Sequence, residues 1–169
     1  MGIQKTVLSV VGNPRPASRT HAIATTLSTA IAEQIGGVVA EPIDLAVYGA
    51  RVLDYEDHQL AAEAQRVLDA DVLVLASPTY KATYSGLLKA FLDRIGGGAL
   101  AGTPAVPVLL GGAPNHSLAV DVHFTPLLLE LGASIPARGL FVLESQLDEF
   151  EATARAWAQT AFGVAPTTD

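Results

Sequence analysis

Short unbroken runs of apolar residues alternate along this chain with longer stretches in which apolar positions return every third or fourth residue. The first pattern predicts strands covered on both faces; the second predicts helices that bury one face. KTVLSVVG is β-branched and continuously apolar, and is the first expected strand. After it Ile23, Leu27, Ala30 and Ile31 fall at helical spacing, and Gly36-Gly37 ends the run. VVAEPIDL predicts a second strand, which Pro42 assigns to a sheet edge because proline has no N–H for a ladder. AVYGARVLDYED is expected as a loop. Leu60 to Ala70 is expected as an alanine-rich second helix, with Ala64, Val67 and Leu68 apolar.

DVLVLASP is the most apolar run and is placed centrally as the third strand. YSGLLKAFLDRI is the third helix, closed by Gly96-Gly97-Gly98, and PAVPVLLGG the fourth strand. HSLAVDVHFTPLLLELG is a fourth helix with a bend or restart at Pro126. RGLFVLES is the fifth strand. LDEFEATARAWAQTAF is the last helix, with Leu147, Phe150, Ala154, Trp157 and Phe162 on or near one face and Trp157 expected in the core. Five strands alternating with five helices argue for an α/β three-layer sandwich around a parallel sheet. An edge-like second strand and a central third strand give the flavodoxin-like order 2-1-3-4-5. Residues 1–163 are expected as a single domain and 164–169 as a flexible tail.

Composition narrows the function. A chain of 169 residues has room for one real core. Half of its residues are hydrophobic and 16% are charged, which excludes a disordered chain. A net charge of -7 lacks the basic footprint of a nucleic-acid binder. The absence of cysteine excludes disulfides, thiol catalysis and thiolate metal sites. No apolar stretch approaches the roughly 20 residues that span a bilayer, so no membrane partner is expected. MGIQKTVLSVVG is too short and too weakly basic for a signal peptide, although Met1-Gly2 followed by Lys5 and Thr6 loosely fits a myristoylation pattern. The expected location is cytoplasmic. His21 and His58 have no partner at a metal spacing, and no metal is expected.

In doubly wound sheets the ligand lies beyond the carboxyl ends of strands 1, 3 and 4, where the strand order reverses. All three of the loops there are chemically unusual. The first, GNPRPASRTH, holds two stiffening prolines, Ser18, Thr20 and two arginines at a helix start. Backbone N–H groups, both hydroxyls, the guanidinium of Arg15 or Arg19 and the positive helix end can surround one phosphate. Ser18 as a plain N-cap with solvated arginines is the competing reading. The loop lacks the Gly-Lys-Ser/Thr ending of nucleoside triphosphatases and is not a GxGxxG turn.

The second loop, SPTYKATYSG, offers Pro78 to direct the chain, small Thr79 and Ala82, and Tyr80 to lie beside a flat ring; Ser85 also suits a helix cap. In the third, GGAPNHS, Gly111 and Gly112 allow close backbone approach. His116 suits either a heterocycle edge, a subunit contact or a helix start. Phosphate at one loop and a planar ring between the other two is the outline of FMN. A phosphoacceptor domain of the same topology is rejected, because Gly12-Asn13 and Ser77-Pro78 stand where it needs carboxylates.

GNPRPASRT resembles the Gly-Ser-Pro-Arg-x-x-Ser-x-Thr/Ser loop of the NAD(P)H-dependent FMN reductase family. ASPTYKATYSGLLKAFLDRI closely resembles that family's second signature. LLGGAPNHSLAVDVHFTPLLLELGA resembles its third, particularly in the alkanesulfonate and methanesulfonate branch. The resemblance implies FMN as cofactor or substrate, reduction by NADPH or NADH, a homodimer or homotetramer, and a flavin-dependent monooxygenase as one recipient. The implied cofactor-binding residues are Asn13, Arg15, Ser18 and Thr20; Pro78, Thr79, Tyr80, Lys81 and Ser85; and Gly111, Gly112 and His116. Asn13 stands where the family more often has serine, and Val122-His123 where the branch carries an aromatic residue inserted as a π-bulge. No catalytic side chain is expected, because the flavin carries the chemistry and the protein holds two rings at near-attack distance. An FMN-bound quinone or azo reductase and a non-enzymatic flavodoxin-type electron carrier are the alternatives. The carrier usually has a Thr/Ser-rich phosphate loop in place of this Pro/Arg one.

Lys89 and Asp93, four apart, predict a surface ion pair. Leu87, Leu88, Phe91, Leu92 and Ile95 cover more than one helix face, which predicts that the third helix packs on the sheet and on another subunit.

Overall fold

A computed structural model describes residues 4–163. The tail 164–169 and Met1-Gly2 lie outside the described residues. The strands are β1 (Thr6–Val11), β2 (Val38–Val39), β3 (Ile43–Asp44), β4 (Val72–Pro78), β5 (Ala105–Gly111) and β6 (Leu140–Leu143). The α-helices are α1 (Arg19–Ile35), α2 (His58–Asp69), α3 (Gly86–Leu92), α4 (Thr125–Glu130) and α5 (Phe150–Phe162). All strand pairs are parallel, in the order β2-β1-β4-β5-β6, with β3 also on β1. This is the expected flavodoxin-like sheet. Its second strand is cut in two by Ala40-Glu41-Pro42: Thr6 and Val7 of β1 pair Val38 and Val39, and Val10 and Val11 pair Ile43 and Asp44.

Alternation along the strands makes two cores. Leu8, Val10, Leu73 and Leu75 face a layer containing Leu60 and Val67 of α2 and Leu88, Phe91 and Leu92 of α3. Val7, Val11, Val74 and Ala76 face α1 and α5 through Ile23, Leu27, Ile31, Phe150 and Ala154. The wide stripe on the third helix is largely consumed inside the chain: Leu88, Phe91, Leu92 and Ile95 are all buried, and only Leu87 and Ala90 stay half-buried. Its width therefore needs no second subunit. Lys89 and Asp93 form their ion pair. Trp157 is half-buried rather than central; its indole N–H donates to the Arg138 carbonyl at 2.8 Å, which keeps the polar edge of the ring at the rim.

The loop expected at 46–57 is two 3₁₀ turns, Leu45–Val47 and Gly49–Leu53. Arg94 fastens it from α3's end by donating to the carbonyls of Val52 and Asp54. The expected fourth helix is broken into a 3₁₀ turn at Pro114–His116, a π turn at Val120–Phe124 and then α4. Pro126 has no N–H to offer the turn before it, and the Thr125 N–H reaches back five residues to the Val120 carbonyl. Asp121 within this turn accepts two hydrogen bonds from Arg138, at 3.0 and 2.6 Å. The π turn is thus present, with Val122 exposed on it. Among the described residues no helix is long and apolar enough to cross a membrane.

Candidate functional site

The carboxyl ends of β1, β4, β5 and β6 open onto one cavity of about 430 Å³. Its first wall is the loop between β1 and α1. Gly12 continues the sheet by donating to the Ala76 carbonyl at 2.8 Å, and a Cβ there would lie 2.5 Å from Leu88 Cβ, so only glycine fits. Asn13 is buried and braces the loop from within. Its amide donates to Thr20 Oγ1 at 3.0 Å, and its carbonyl accepts the Arg15 N–H at 2.9 Å. Ala17 takes a left-handed φ of 48°, unusual for a residue with a Cβ, and its N–H donates to Asp44 at 3.1 Å. Asp44, at the end of β3, was not singled out by sequence; it also accepts from the Ala46 N–H at 3.2 Å. Ser18 caps α1, accepting from the His21 N–H at 3.2 Å. Asn13, Arg15 and Ser18 line the cavity, whereas Thr20 is fully buried beneath it as the partner of Asn13. Among the described residues Arg15 makes no salt bridge.

The second wall follows β4. The Ser77 hydroxyl accepts the Ser85 N–H and donates to the Pro78 carbonyl, both at 2.8 Å. Tyr80 and Thr83 exchange backbone hydrogen bonds around Lys81 and Ala82, whose φ values are 51° and 61°. These are the φ signs of a type I′ turn, here built without glycine or asparagine. Strain of this kind, of order 1–3 kcal/mol per residue, collects at ligand sites. Pro78, Thr79 and Tyr80 line the cavity; Lys81 is exposed at the turn's tip and does not. Ser85 is buried below, capping α3 and donating to the Gly12 carbonyl. Thr79 Oγ1 is buried with no hydrogen-bond partner. An orphaned hydroxyl at the cavity wall is a polar group left for a ligand.

The third wall follows β5. A Cβ on Gly111 would meet the Phe141 ring at 2.4 Å, while one on Gly112 would meet nothing within 4 Å. Both glycines line the cavity. His116 does not; it lies beside Asn115, 3.2 Å between side-chain nitrogens, in a separate shallow cleft shared with Ala82, Val122 and His123. A fourth wall was not foreseen. Glu144 directly follows β6, lines the cavity and pairs with Arg19 at 2.8 Å. The charged lining is thus Arg15, Arg19 and Glu144. Free N–H groups at the start of a 17-residue helix, Ser18 and an unpaired guanidinium suit an anion. The Tyr80 ring, the Thr79 hydroxyl and the bare backbone of Gly112 suit a flat polar group beside it.

Comparison with known proteins agrees with this geometry. The NADPH-dependent FMN reductase family profile matches residues 6–148. An FMN reductase (NADPH) of Escherichia coli strain K12 is 36% identical over 96 residues, covering 57% of this chain and 50% of that protein. The NADH-dependent FMN reductase SfnE of Pseudomonas putida is 28% identical over 155 residues, covering 87% of this chain and 81% of its own. The match with the E. coli protein, and with its Pseudomonas putida strain KT2440 counterpart, spans about half the length of those relatives. Among solved structures, the apo form of an NADH:FMN oxidoreductase (EMOB) superposes with a TM-score of 0.80 at 26% identity, covering 98% of this chain and 94% of that one.

Proposed function

Because the chain belongs to the NADPH-dependent FMN reductase family, we propose that it binds FMN in the cavity at the sheet's carboxyl edge and reduces it with NADPH or NADH. The observation that carries this reading is the presence, on two walls of one cavity, of an anion-suited loop and the buried unpartnered hydroxyl of Thr79. When bound, FMN supplies the redox chemistry, accepting a hydride equivalent from the nicotinamide.

The chain's own work is placement. Arg15, Ser18 and the start of α1 take the phosphate. Asn13, Thr20 and Asp44 act one step back, fixing the loop that carries those donors. Thr79 would meet the polar edge of the flavin, Tyr80 and Gly112 would bound the ring's slot, and the open side would admit the nicotinamide. Proximity and orientation are enough to promote the transfer between two held rings, and no side-chain acid or base is assigned.

Assembly as a homodimer or homotetramer in the cytoplasm, with a flavin-dependent monooxygenase receiving the reduced flavin, belongs to the same reading. Leu118, Val122 and Leu129 are the support for assembly: each is more than half exposed, on or beside the π turn and α4. The test is an FMN fluorescence titration, followed by steady-state NADPH and NADH oxidation at varied free FMN. Arg15→Ala is expected to weaken FMN roughly tenfold or more, as loss of a charge-assisted contact does, and to leave riboflavin unchanged. Equal loss for both flavins would remove the phosphate from this loop.

A further inference from the structure

The Arg19–Glu144 pair has no role in the placement just described, yet both side chains line the same cavity. Among the described residues Glu144 is the one carboxylate on that lining, and it stands opposite the loop assigned to a dianion. A phosphate of charge near -2 held by Arg15 and the start of α1 would gain further compensation from Arg19. A carboxylate already seated on Arg19 leaves one guanidinium only. We propose that Glu144 competes with the flavin phosphate for Arg19, and that this competition lowers the site's affinity for FMN relative to riboflavin. The inference rests on the reading that the cavity takes FMN.

Burial sets the size of the effect. The Arg19 side chain is 61% exposed and that of Glu144 42% exposed, with Nη2 and Oε1 2.8 Å apart. A solvent-exposed pair of this sort is weak and screened by salt. Arg19 can therefore leave Glu144 readily when a better acceptor arrives, and phosphate is one, since its charge near -2 exceeds that of a carboxylate. The exchange is symmetrical: when the ligand departs, Glu144 takes Arg19 back. The carboxylate thus lowers affinity modestly without closing the site. It acts on the phosphate alone, because riboflavin brings no anion to compete with Glu144 for Arg19.

The test uses Glu144→Gln, which keeps the side chain's length and hydrogen-bonding oxygen and removes its charge. FMN and riboflavin affinities are measured by flavin fluorescence at several salt concentrations, with kcat and KM for free FMN. The expected result is FMN binding tighter by roughly 1.5- to fivefold, the range open to an exposed pair. Riboflavin should be unchanged, KM for FMN should fall, and the gain should shrink at high salt. In an Arg19→Gln background the same substitution should tighten FMN by less than half as much. Three results would overturn the proposal: no tightening, equal tightening of both flavins, or a full gain persisting without Arg19. If the unsubstituted protein binds FMN no better than riboflavin, and Arg15→Ala changes neither, the FMN reading itself fails and takes this one with it. Tight, Arg15-dependent FMN binding that Glu144→Gln leaves unaltered refutes the competition alone.

Discussion

The Ser85 hydroxyl donates to the carbonyl of Gly12, joining the loop after β4 to the loop after β1 across 73 residues of chain. The same oxygen accepts the Leu88 N–H at 3.1 Å and so caps α3. One atom therefore fixes both a helix start and the spacing of two cavity walls. Ser85→Ala is expected to lose about 1–3 kcal/mol of stability, the cost of a missing cap and a buried unpaired carbonyl. A urea titration reads this directly. FMN affinity should fall with it, while Ser85→Thr, which keeps the hydroxyl, should recover most of both.

Gly111 and Gly112 are adjacent, line the same cavity and should respond oppositely to alanine. At Gly111 a Cβ meets the Phe141 ring at 2.4 Å, so Gly111→Ala must push β5 from β6 and should cost on the order of 1–3 kcal/mol. At Gly112 the Cβ enters open space, and the fold should be unchanged. Gly112→Ala should instead narrow the ring's slot and weaken both FMN and riboflavin by roughly tenfold. Thermal unfolding and flavin titration of the two variants, side by side, separate the outcomes.

Asp57 caps α2, accepting the Gln59 and Leu60 N–H groups at 3.0 and 3.1 Å, and also receives Arg51 at 2.7 Å. Hydrogen bonding from the Leu60 backbone, with Arg51 adding to it, holds its carboxyl below the usual carboxylate range. A group depressed in the folded state stabilises the fold above its unfolded pKa of about 3.9, and that contribution disappears as pH falls through the lower folded value. Asp57→Asn should therefore lose stability at pH 7, and the loss should shrink as pH falls below the unfolded value. Urea midpoints of both proteins across that range should converge on the acid side.

Much of this was legible in the sequence because strand and helix patterns differ in period, and because the sheet order then dictates which loops meet. Arg15, Ser18, Thr79, Tyr80, Gly111 and Gly112 meet at the cavity as expected. Thr20 and Ser85 are polar residues of the right loops whose hydroxyls turn inward to hold those loops together. A linear motif does not distinguish a group that touches a ligand from one that holds its neighbour. Glu144 and Asp44 were missed for another reason. Each lies at the end of a strand outside the three that the topology singles out, and only the fold brings it over the first loop. His116 belongs to the third loop by chain position alone, and the 3₁₀ turn at Pro114–His116 carries it into a different cleft.

Pro42 interrupts the outer rim of the sheet after only two residues of β2, and two more of β3 follow before the chain turns away. Unsatisfied main-chain groups on that rim come in fragments too short to template another copy, with a residue between them that cannot donate. Growth by adding strands edge to edge is blocked on this side, so copies that meet along this rim do so through side chains. That separates assembly from the fibrillar aggregation that an open valine-rich margin would otherwise invite.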